Sequence, residues 1–524
     1  MKSPRTSTLR RAAVTVAAMF LFHASSAAQD SPAQIPSSGD AAIRELQDQV
    51  RQLQALVGQM RTENAESRAE MHQLRQDLQA TRALLERHEA PLTSETAAQQ
   101  LAGNAPSTDQ PAKPALEQRV ERLEESTSLI GSKIDEQYQT KVETASKYRA
   151  RLHGIVLMNA FRNVGGSDNL DFPNYARPLS AALPTTTVGA TLRQSEIGLE
   201  IFGPKVAGAR TSADVQLDFA GGFPATGNGV NFGIVRLQTA SLRLDWDKTS
   251  VVAGQDSLFI SPLSPTSFAS LATPAFALAG NLWGWTPQVR VEHRFAISGQ
   301  QTITMQAGVL DNLDWEYPYN SFYRRAQAGE WSGQPAYAFR TAWSRTVREH
   351  PLSFGVAGYY GRQNWAWDRY VDAWAGMADW EVPILPRVAL SGEFYRGRGI
   401  GGLGAGIGTS IVYGGDFRVP LSPIRGLNTA GGWAQLKIQL TPKLELNGVV
   451  SQDDAFTADI VGFATDQNNP GPILGRNRGA LGNVVFRPRS DLVLSTELRR
   501  LRTFPVYTNG STVNQVNLSL GILF

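Results

Sequence analysis

Arginine is by far the commonest basic residue in the C-terminal part of this sequence. From Tyr148 to Phe524 there are 29 arginines and four lysines, against 28 acidic residues. The guanidinium group is planar, permanently charged and suited to paired hydrogen bonds with a carboxylate or phosphate. Rows of such groups along a polar surface can guide small anions. The alternative is that the arginines pair with acidic neighbours such as Asp214, Asp218, Glu196 and Glu292 and only keep the surface polar.

Other residue types that support chemistry are sparse. The three histidines of this region, His153, His293 and His350, do not have metal-ligand spacing, and the sequence contains no cysteine. There is no G-x-S-x-G motif, and the glycine-rich run at 399–408 lacks the lysine and the helix of a phosphate loop. We therefore expect no enzyme, no cofactor, no metal site and no nucleic-acid partner.

In the segments that carry the arginines, side-chain polarity alternates with a period of two residues. In "ARTSADVQLDFA" (209–220), "WAQLKIQL" (433–440) and "DLVLSTELR" (491–499), apolar and polar residues alternate. The final strand, Val513–Phe524, does the same and ends on an aromatic residue. Alternation predicts strands with one apolar and one polar face. In an outer-membrane barrel the apolar face meets lipid and the polar face lines the lumen.

About sixteen strands can be placed between 148 and 524. Short turns alternate with longer segments, of which the longest are 164–188, 256–283, 312–334, 397–429 and 453–477. This asymmetry and an even strand count are typical of bacterial outer-membrane barrels. The predicted fold is therefore all-β, an antiparallel transmembrane barrel of about 16 strands. On these strands Arg290 and Arg340 are predicted to face inward at mid-strand, with Arg193 and Arg499 nearer the outer mouth.

The segment before the barrel has a different composition. Residues 1–28 have the basic start, apolar centre and small residues of a secretory signal peptide. Apolar residues at heptad a and d positions predict a coiled coil over 39–90 and a second one over 116–138, separated by a Pro/Ser/Thr-rich linker at 91–115. In isolation, the a and d residues favour a coiled coil of two chains. Three chains are what the family resemblance given below implies for the barrel.

The segment 256–283 is too apolar to extend into water and too interrupted by Pro and Gly to be a strand. Two positions would bury its aromatic residues. It could fold inward and narrow the pore, or it could cover a subunit contact at a trimer axis. We favour the first.

Several short motifs resemble one family. "LRQSEIGLEI" (192–201), "AGQDSLF" (253–259) and "PQVRVEHRF" (287–295) are similar to segments of the trimeric outer-membrane porins of the DcaP-like group. The resemblance implies a periplasmic coiled coil joined to a sixteen-stranded barrel in the outer membrane of a Gram-negative cell, and a homotrimer. The terminal strand ending in Phe524 also resembles the signal that the barrel assembly machinery recognises.

These observations lead to one principal functional hypothesis. The chain is expected to be a porin, a passive channel in outer-membrane lipid for small hydrophilic solutes. Small anionic solutes such as carboxylates would be guided by Arg193, Arg290, Arg340 and Arg499. The alternative is a structural role, in which the barrel anchors a coiled coil that tethers the outer membrane toward the cell wall.

Overall fold

The computed structural model describes residues 149–223, 233–312, 314, 324–347, 350–415, 419–461 and 474–524. The predicted signal peptide, both predicted coiled coils and the linker lie outside the described residues. In the described part of the chain, no helix is both long enough and apolar enough to cross a membrane.

Sixteen antiparallel strands of the described chain form a closed wall, as the alternation predicts. They are β1 Arg149–Val164, β2 in two pieces Thr186–Thr191 and Glu196–Phe202, β3 Arg210–Asp218, β4 Arg236–Asp245, β5 Thr249–Ser257, β6 Trp285–Ser298, β7 Gln301–Leu310, β8 Ala336–Val347, β9 His350–Asn364, β10 Tyr370–Leu385, β11 Val388–Arg398, β12 Asn428–Thr441, β13 Leu444–Ala455, β14 Leu474–Arg489, β15 Leu492–Pro505 and β16 Ser511–Leu523. Both pieces of β2 pair with β1, so they form one interrupted strand.

Each strand pairs with the next along the chain, and the last pairs with the first. The register of this closing pair runs from Ile155 opposite Leu523 to Val164 opposite Asn514. The backbone of Phe524 continues it, because its N–H donates to the carbonyl of Gly154 at 3.1 Å and its carbonyl accepts from the Gly154 N–H at 2.9 Å. The sheet therefore has no free edge at this seam, which is the condition for a backbone to cross a bilayer as strands.

Alternation along the strands separates an apolar outer face from a polar inner face. On β16, Leu518 and Ile522 are more than half exposed, whereas Asn517 and Ser519 between them are buried inside the barrel. The longest connections join strands at the end of the barrel opposite Arg149 and Phe524, and the connections at the other end are mostly tight turns. We call these the long-loop end and the short-turn end.

The alternation on β4 is irregular for a local reason. Gln216 of β3 is opposite Thr239, but the next residue, Leu217, is opposite Leu237, so Gln238 is an extra residue in β4. Such a bulge shifts the phase of all later side chains. Leu237 and Leu242 consequently share the exposed outer face although one number is odd and the other even. The bulge therefore accounts for the interrupted alternation of this strand.

Candidate functional site: the lumen and its inner loop

The connection between β5 and β6, residues 258–284, folds into the barrel, and we call it the inner loop. Its first and last parts, Leu258, Phe259, Ile260 and Leu282, pack against the inner faces of β8–β11. Small residues at Ala338, Ala357 and Ala375 on those strands leave room for it. The expectation that this apolar segment turns inward is confirmed by this packing.

The middle of the inner loop reaches the opposite part of the wall. Phe268 and Leu271 pack on a cluster from β1, β14 and β15. Phe276 packs with Trp433, Leu481 and Leu501 of β12, β14 and β15. Because the loop contacts the inner wall at several separate places, it crosses the lumen and reduces the open cross-section.

Inward polar side chains fix the loop backbone. Gln194, in the break of β2, accepts hydrogen bonds from the backbone N–H groups of Leu271 and Ala272 at 2.9 and 3.3 Å and donates to the carbonyl of Ala269 at 3.1 Å. Glu393 of β11 accepts from the Ser261 hydroxyl and the Leu263 N–H at 2.5 and 2.8 Å. These bonds satisfy backbone groups that the barrel wall removes from water.

Further contacts of the same kind come from β12 and β15. Gln435 accepts from the Thr266 N–H at 2.7 Å, and Glu497 accepts from the Ser267 hydroxyl at 2.6 Å. These loop-holding residues are not among the site residues predicted from the sequence. Their only signal is a polar side chain at an inward position, and every strand has several of those.

Two glycines allow the close approach of loop and wall. Gly280 of the loop has φ +110, and a Cβ there would lie 2.4 Å from the carbonyl oxygen of Gly432. On the wall, a Cβ at Gly479 would lie 2.2 Å from Cε1 of Phe276. Phe276 itself has φ 64, a left-handed conformation that is unfavourable for an aromatic residue and that surrounding contacts must hold. Both glycines therefore let the inner loop lie in close contact with the barrel wall.

Two of the four candidate arginines belong to one network. Arg290 of β6 donates from Nη1 to Asp256 at 2.7 Å and from Nε to Glu292 at 2.9 Å. Glu292 also accepts from Gln306 at 3.0 Å, and Gln306 in turn accepts from Nη1 of Arg340 at 3.2 Å. Arg340 of β8 completes the chain through two bonds to the Asp379 carboxylate, at 2.7 and 3.0 Å.

The other two candidate arginines lie apart from this network. Arg499 of β15 donates to Glu497 at 2.6 and 2.9 Å and to the Ser267 hydroxyl of the inner loop at 3.1 Å. Arg193 lies in the break of β2, where Nη1 contacts Asp171 at 2.6 Å and the guanidinium lies 4.2 Å from the Phe223 ring centroid. Arg290, Arg340 and Arg499 face inward as predicted. All four are paired with carboxylates, which the sequence could not specify.

The neighbouring inner wall carries more charge pairs. Arg236 of β4 contacts Asp218 of β3 at 2.5 Å and Arg243 contacts Glu292 at 3.1 Å. Among the described residues, no group of three His, Asp or Glu side chains is arranged to hold a metal ion. The inner wall is therefore a polar surface on which positively and negatively charged side chains alternate. Such a surface can transiently replace the water around small solutes.

A cavity of about 190 Å³ lies on the long-loop side of the inner loop. Its walls are Leu258, Trp283, Trp285, Tyr359 and Leu403, with Arg236 at the margin. Leu403 belongs to the connection between β11 and β12, and its carbonyl accepts from the Trp283 N–H at 3.1 Å. This second connection therefore packs on the inner loop and narrows the mouth further.

Comparison with solved structures identifies the architecture. The outer membrane channel DcaP of Acinetobacter baumannii superimposes with a TM-score of 0.55 at 14% sequence identity, covering 73% of this chain and 99% of that one. The domain has the fold of an outer-membrane channel. The resemblance noted in the sequence is thus confirmed at the level of the fold.

Two further solved structures match this channel fold at lower TM-scores. An anion-selective porin from Comamonas acidovorans gives 0.44 at 12% identity, with 72% of this chain and 100% of that chain covered. OmpT of Vibrio cholerae gives 0.41 at 8% identity, with 74% and 100% covered. No protein-family model and no curated protein sequence matches the chain.

Proposed function

We propose that the chain is an outer-membrane porin that lets small hydrophilic solutes diffuse passively. One observation carries this proposal: a closed sixteen-stranded wall has an apolar outside and a polar inside that an inner loop narrows. The direct test is conductance of the purified full-length protein in planar bilayers. A purified, folded protein that produces no channels would contradict the proposal.

We further propose that the channel favours small anions, in particular carboxylates, at Arg193, Arg290, Arg340 and Arg499. The support is the placement of Arg290 and Arg340 in one inward network and of Arg499 beside the inner loop. An incoming carboxylate that replaces a protein carboxylate on a guanidinium leaves that protein carboxylate without its partner, which offsets much of the gain. Such exchange keeps binding weak enough for release, as conduction requires.

The same ion pairs support a second candidate, a channel that passes anions and cations about equally. Asp256, Glu292 and Asp379 lie within 3.0 Å of the two network arginines. Opposite charges at this distance largely cancel each other's field a few ångströms away. On this alternative the pairs keep the wall polar without choosing the sign of the solute.

The reversal potential in a salt gradient separates the two candidates. For an anion-favouring channel, the reversal potential has the sign that anion diffusion sets. Replacing Arg290 and Arg340 together by Ala should shift the reversal potential toward the cation-selective sign, because three carboxylates each lose an arginine partner. The matched control is Arg340→Gln with Asp379→Asn, which removes one charge of each sign and should leave the potential close to that of the unchanged protein. A wild-type preference for cations would refute the anion proposal.

We also propose that the protein is a homotrimer. The support is an uneven outer surface. Strands β2–β5 contain one aromatic residue, Phe202, and it faces inward beside Arg151. The outer faces of β6–β11, in contrast, carry exposed aromatic side chains, Phe295, Tyr337, Phe339, Phe354, Tyr360, Tyr370, Trp374 and Phe394. Aromatic residues are typical of a lipid-facing wall, so the aromatic-free face is the better candidate for contact between subunits.

The structural role remains the alternative for the segment before the barrel. On that proposal the predicted coiled coil lies in the periplasm and tethers the membrane toward the cell wall. Conductance that can be blocked without loss of envelope attachment would favour it.

A further inference from the structure

The outer surface of β14, β15, β16 and β1 carries an arginine cluster near the long-loop end. Arg478 and Arg502 are directly opposite each other on β14 and β15, and Arg500 lies two residues before Arg502 on the same face. Arg162 of β1 lies one row closer to the middle of the barrel, opposite Val516. All four side chains are exposed on the outside of the wall. We call these four residues the outer arginine patch.

The patch lies at one boundary of the apolar band. Toward the short-turn end, the same face carries Leu498, Leu518 and Leu520, all exposed hydrophobic residues. Two residues along a strand span about 7 Å and neighbouring strands are about 4.8 Å apart. The guanidinium groups of Arg478, Arg500 and Arg502 are therefore close to one another, at the edge of an exposed apolar surface.

In the part of the chain that the structure describes, the patch has no protein counter-charge. Like charges directly opposite on neighbouring strands are destabilising. Within the described residues, no carboxylate forms an ion pair with Arg162, Arg478, Arg500 or Arg502. On the same face, Asp454 of β13 pairs with Arg476 at 2.8 Å instead.

The guanidinium groups of the patch are braced from one side. Phe504 lies 4.7 Å from the guanidinium carbon of Arg502 and 5.9 Å from that of Arg478, measured to the ring centroid. Gln452 accepts one hydrogen bond from Nε of Arg478 at 2.7 Å. Stacking on a ring fixes the plane of a guanidinium while its edge N–H groups stay available to an anion.

We propose that the outer arginine patch binds the phosphate groups of an anionic lipid in the outer leaflet. A phosphorylated headgroup supplies several acceptor oxygens and a counter-charge for Arg478 and Arg502, while the acyl chains of the lipid lie on Leu498 and Leu518. The proposal depends on the outer-membrane placement of the barrel but not on what the channel conducts.

The test compares two triple variants of the full-length protein in detergent. One replaces Arg478, Arg500 and Arg502 by Gln, and the control replaces Arg345, Arg387 and Arg489, exposed arginines at the short-turn end, by Gln. Binding is measured to phosphatidylcholine vesicles containing bisphosphorylated lipid A or its dephosphorylated form. We expect the patch variant to lose affinity for the phosphorylated vesicles by about 100-fold, since each arginine near an anionic surface contributes about tenfold or less. The control should change little.

Several results would overturn the proposal. The first is equal binding of the wild-type protein to phosphorylated and dephosphorylated vesicles, and the second is an equal loss of binding affinity in both variants. The third is a patch variant whose oligomeric mass changes while its lipid binding does not. The last would assign the patch to a second copy of the chain. Unchanged conductance of the patch variant, with a heat-modifiable gel shift, shows that its barrel is folded. A failed channel proposal would thus appear in conductance and a failed lipid proposal in vesicle binding.

Discussion

At the scale of single residues, Gly479 is the point where the wall allows the closest contact with the inner loop. The Cβ of an alanine there would overlap the Phe276 ring, only 2.2 Å away. Phe276 has little freedom to withdraw because its backbone already has a positive φ. We expect Gly479→Ala to displace the loop, to raise single-channel conductance and its fluctuations, and to cost about 1–3 kcal/mol of stability.

Gly482→Ala is the control for this change. It lies on the same strand but on the outer face, where the nearest atom to a new Cβ is the Asn447 carbonyl oxygen at 3.9 Å. Conductance and thermal unfolding of this variant should match the unchanged protein. If both alanine variants conduct alike, the contact with Phe276 does not position the loop.

The sequence predicts which side of the barrel wall the arginines face, but it does not predict their carboxylate partners. A strict period of two places Arg290, Arg340 and Arg499 inside without knowledge of any neighbour. The link from Arg290 to Arg340, in contrast, runs through Gln306 on the strand between them. It depends on the register between strands, and one residue of slip would reverse every facing.

At the scale of elements, the inner loop depends on Gln194 more than on any other single wall residue described. We expect Gln194→Ala to release the loop around Leu271, because the N–H groups of Leu271 and Ala272 and the carbonyl of Ala269 lose their partner. A lost bond to a buried group costs about 1–3 kcal/mol. Single-channel recordings should show a larger or more variable conductance.

Gln216→Ala serves as the matched change. Gln216 is also an inward glutamine, but it donates to Glu196 of the wall at 2.9 Å. The conductance of the Gln216→Ala variant should remain steady. A steady conductance for Gln194→Ala as well would mean that apolar packing alone holds the loop.

The strands themselves were predictable and their irregularities were not. Sixteen segments with alternating faces could be placed from hydrophobic period and turn residues, and their number is confirmed. The extra residue Gln238 in β4 could not be predicted, because a bulge and a contact surface disturb alternation in the same way. The break of β2 around Gln194 was missed for a related reason: its polar residues continue the pattern of the strand while the backbone leaves the sheet.

At the scale of the whole molecule, the uneven outer surface gives a test of trimerisation. Native mass measurement of the full-length protein in detergent should give three chains, and deleting residues 40–138 should leave folded barrels that associate more weakly. Leu242 lies on the aromatic-free outer face of β2–β5, and the Leu242→Arg substitution should break the trimer. A mass equal to one or two chains for the unchanged protein would refute the trimer.

Val356→Arg is the control for the interface variant. Val356 is as exposed as Leu242 but lies on β9, in the aromatic-rich part of the wall. Arginine on a lipid-facing position destabilises a barrel by up to about 2–4 kcal/mol at mid-membrane depth. Both variants should therefore be less stable, whereas only Leu242→Arg should change the number of subunits.

The last residue gives a test of assembly. Phe524→Ala keeps the backbone bonds to Gly154, so purified chain should still fold in detergent. If the aromatic side chain is the recognised signal, the amount of folded barrel in the outer membrane should fall several-fold. Ile522→Ala, on the same exposed face, should assemble normally. Equal yields for both variants would argue against a signal at Phe524.

The seam between β1 and β16 also sets an order of events in time. Ile155 and Leu523 pair although nearly the whole described chain lies between them. Contacts between such distant positions are the slowest to form, since the intervening chain must be arranged first. Until the final strand arrives, β1 presents an unpaired row of backbone groups on which another chain could add. The unclosed barrel is thus the species most at risk of aggregation, and a helper that shields β1 during that interval would protect the protein more than one that acts on any later strand.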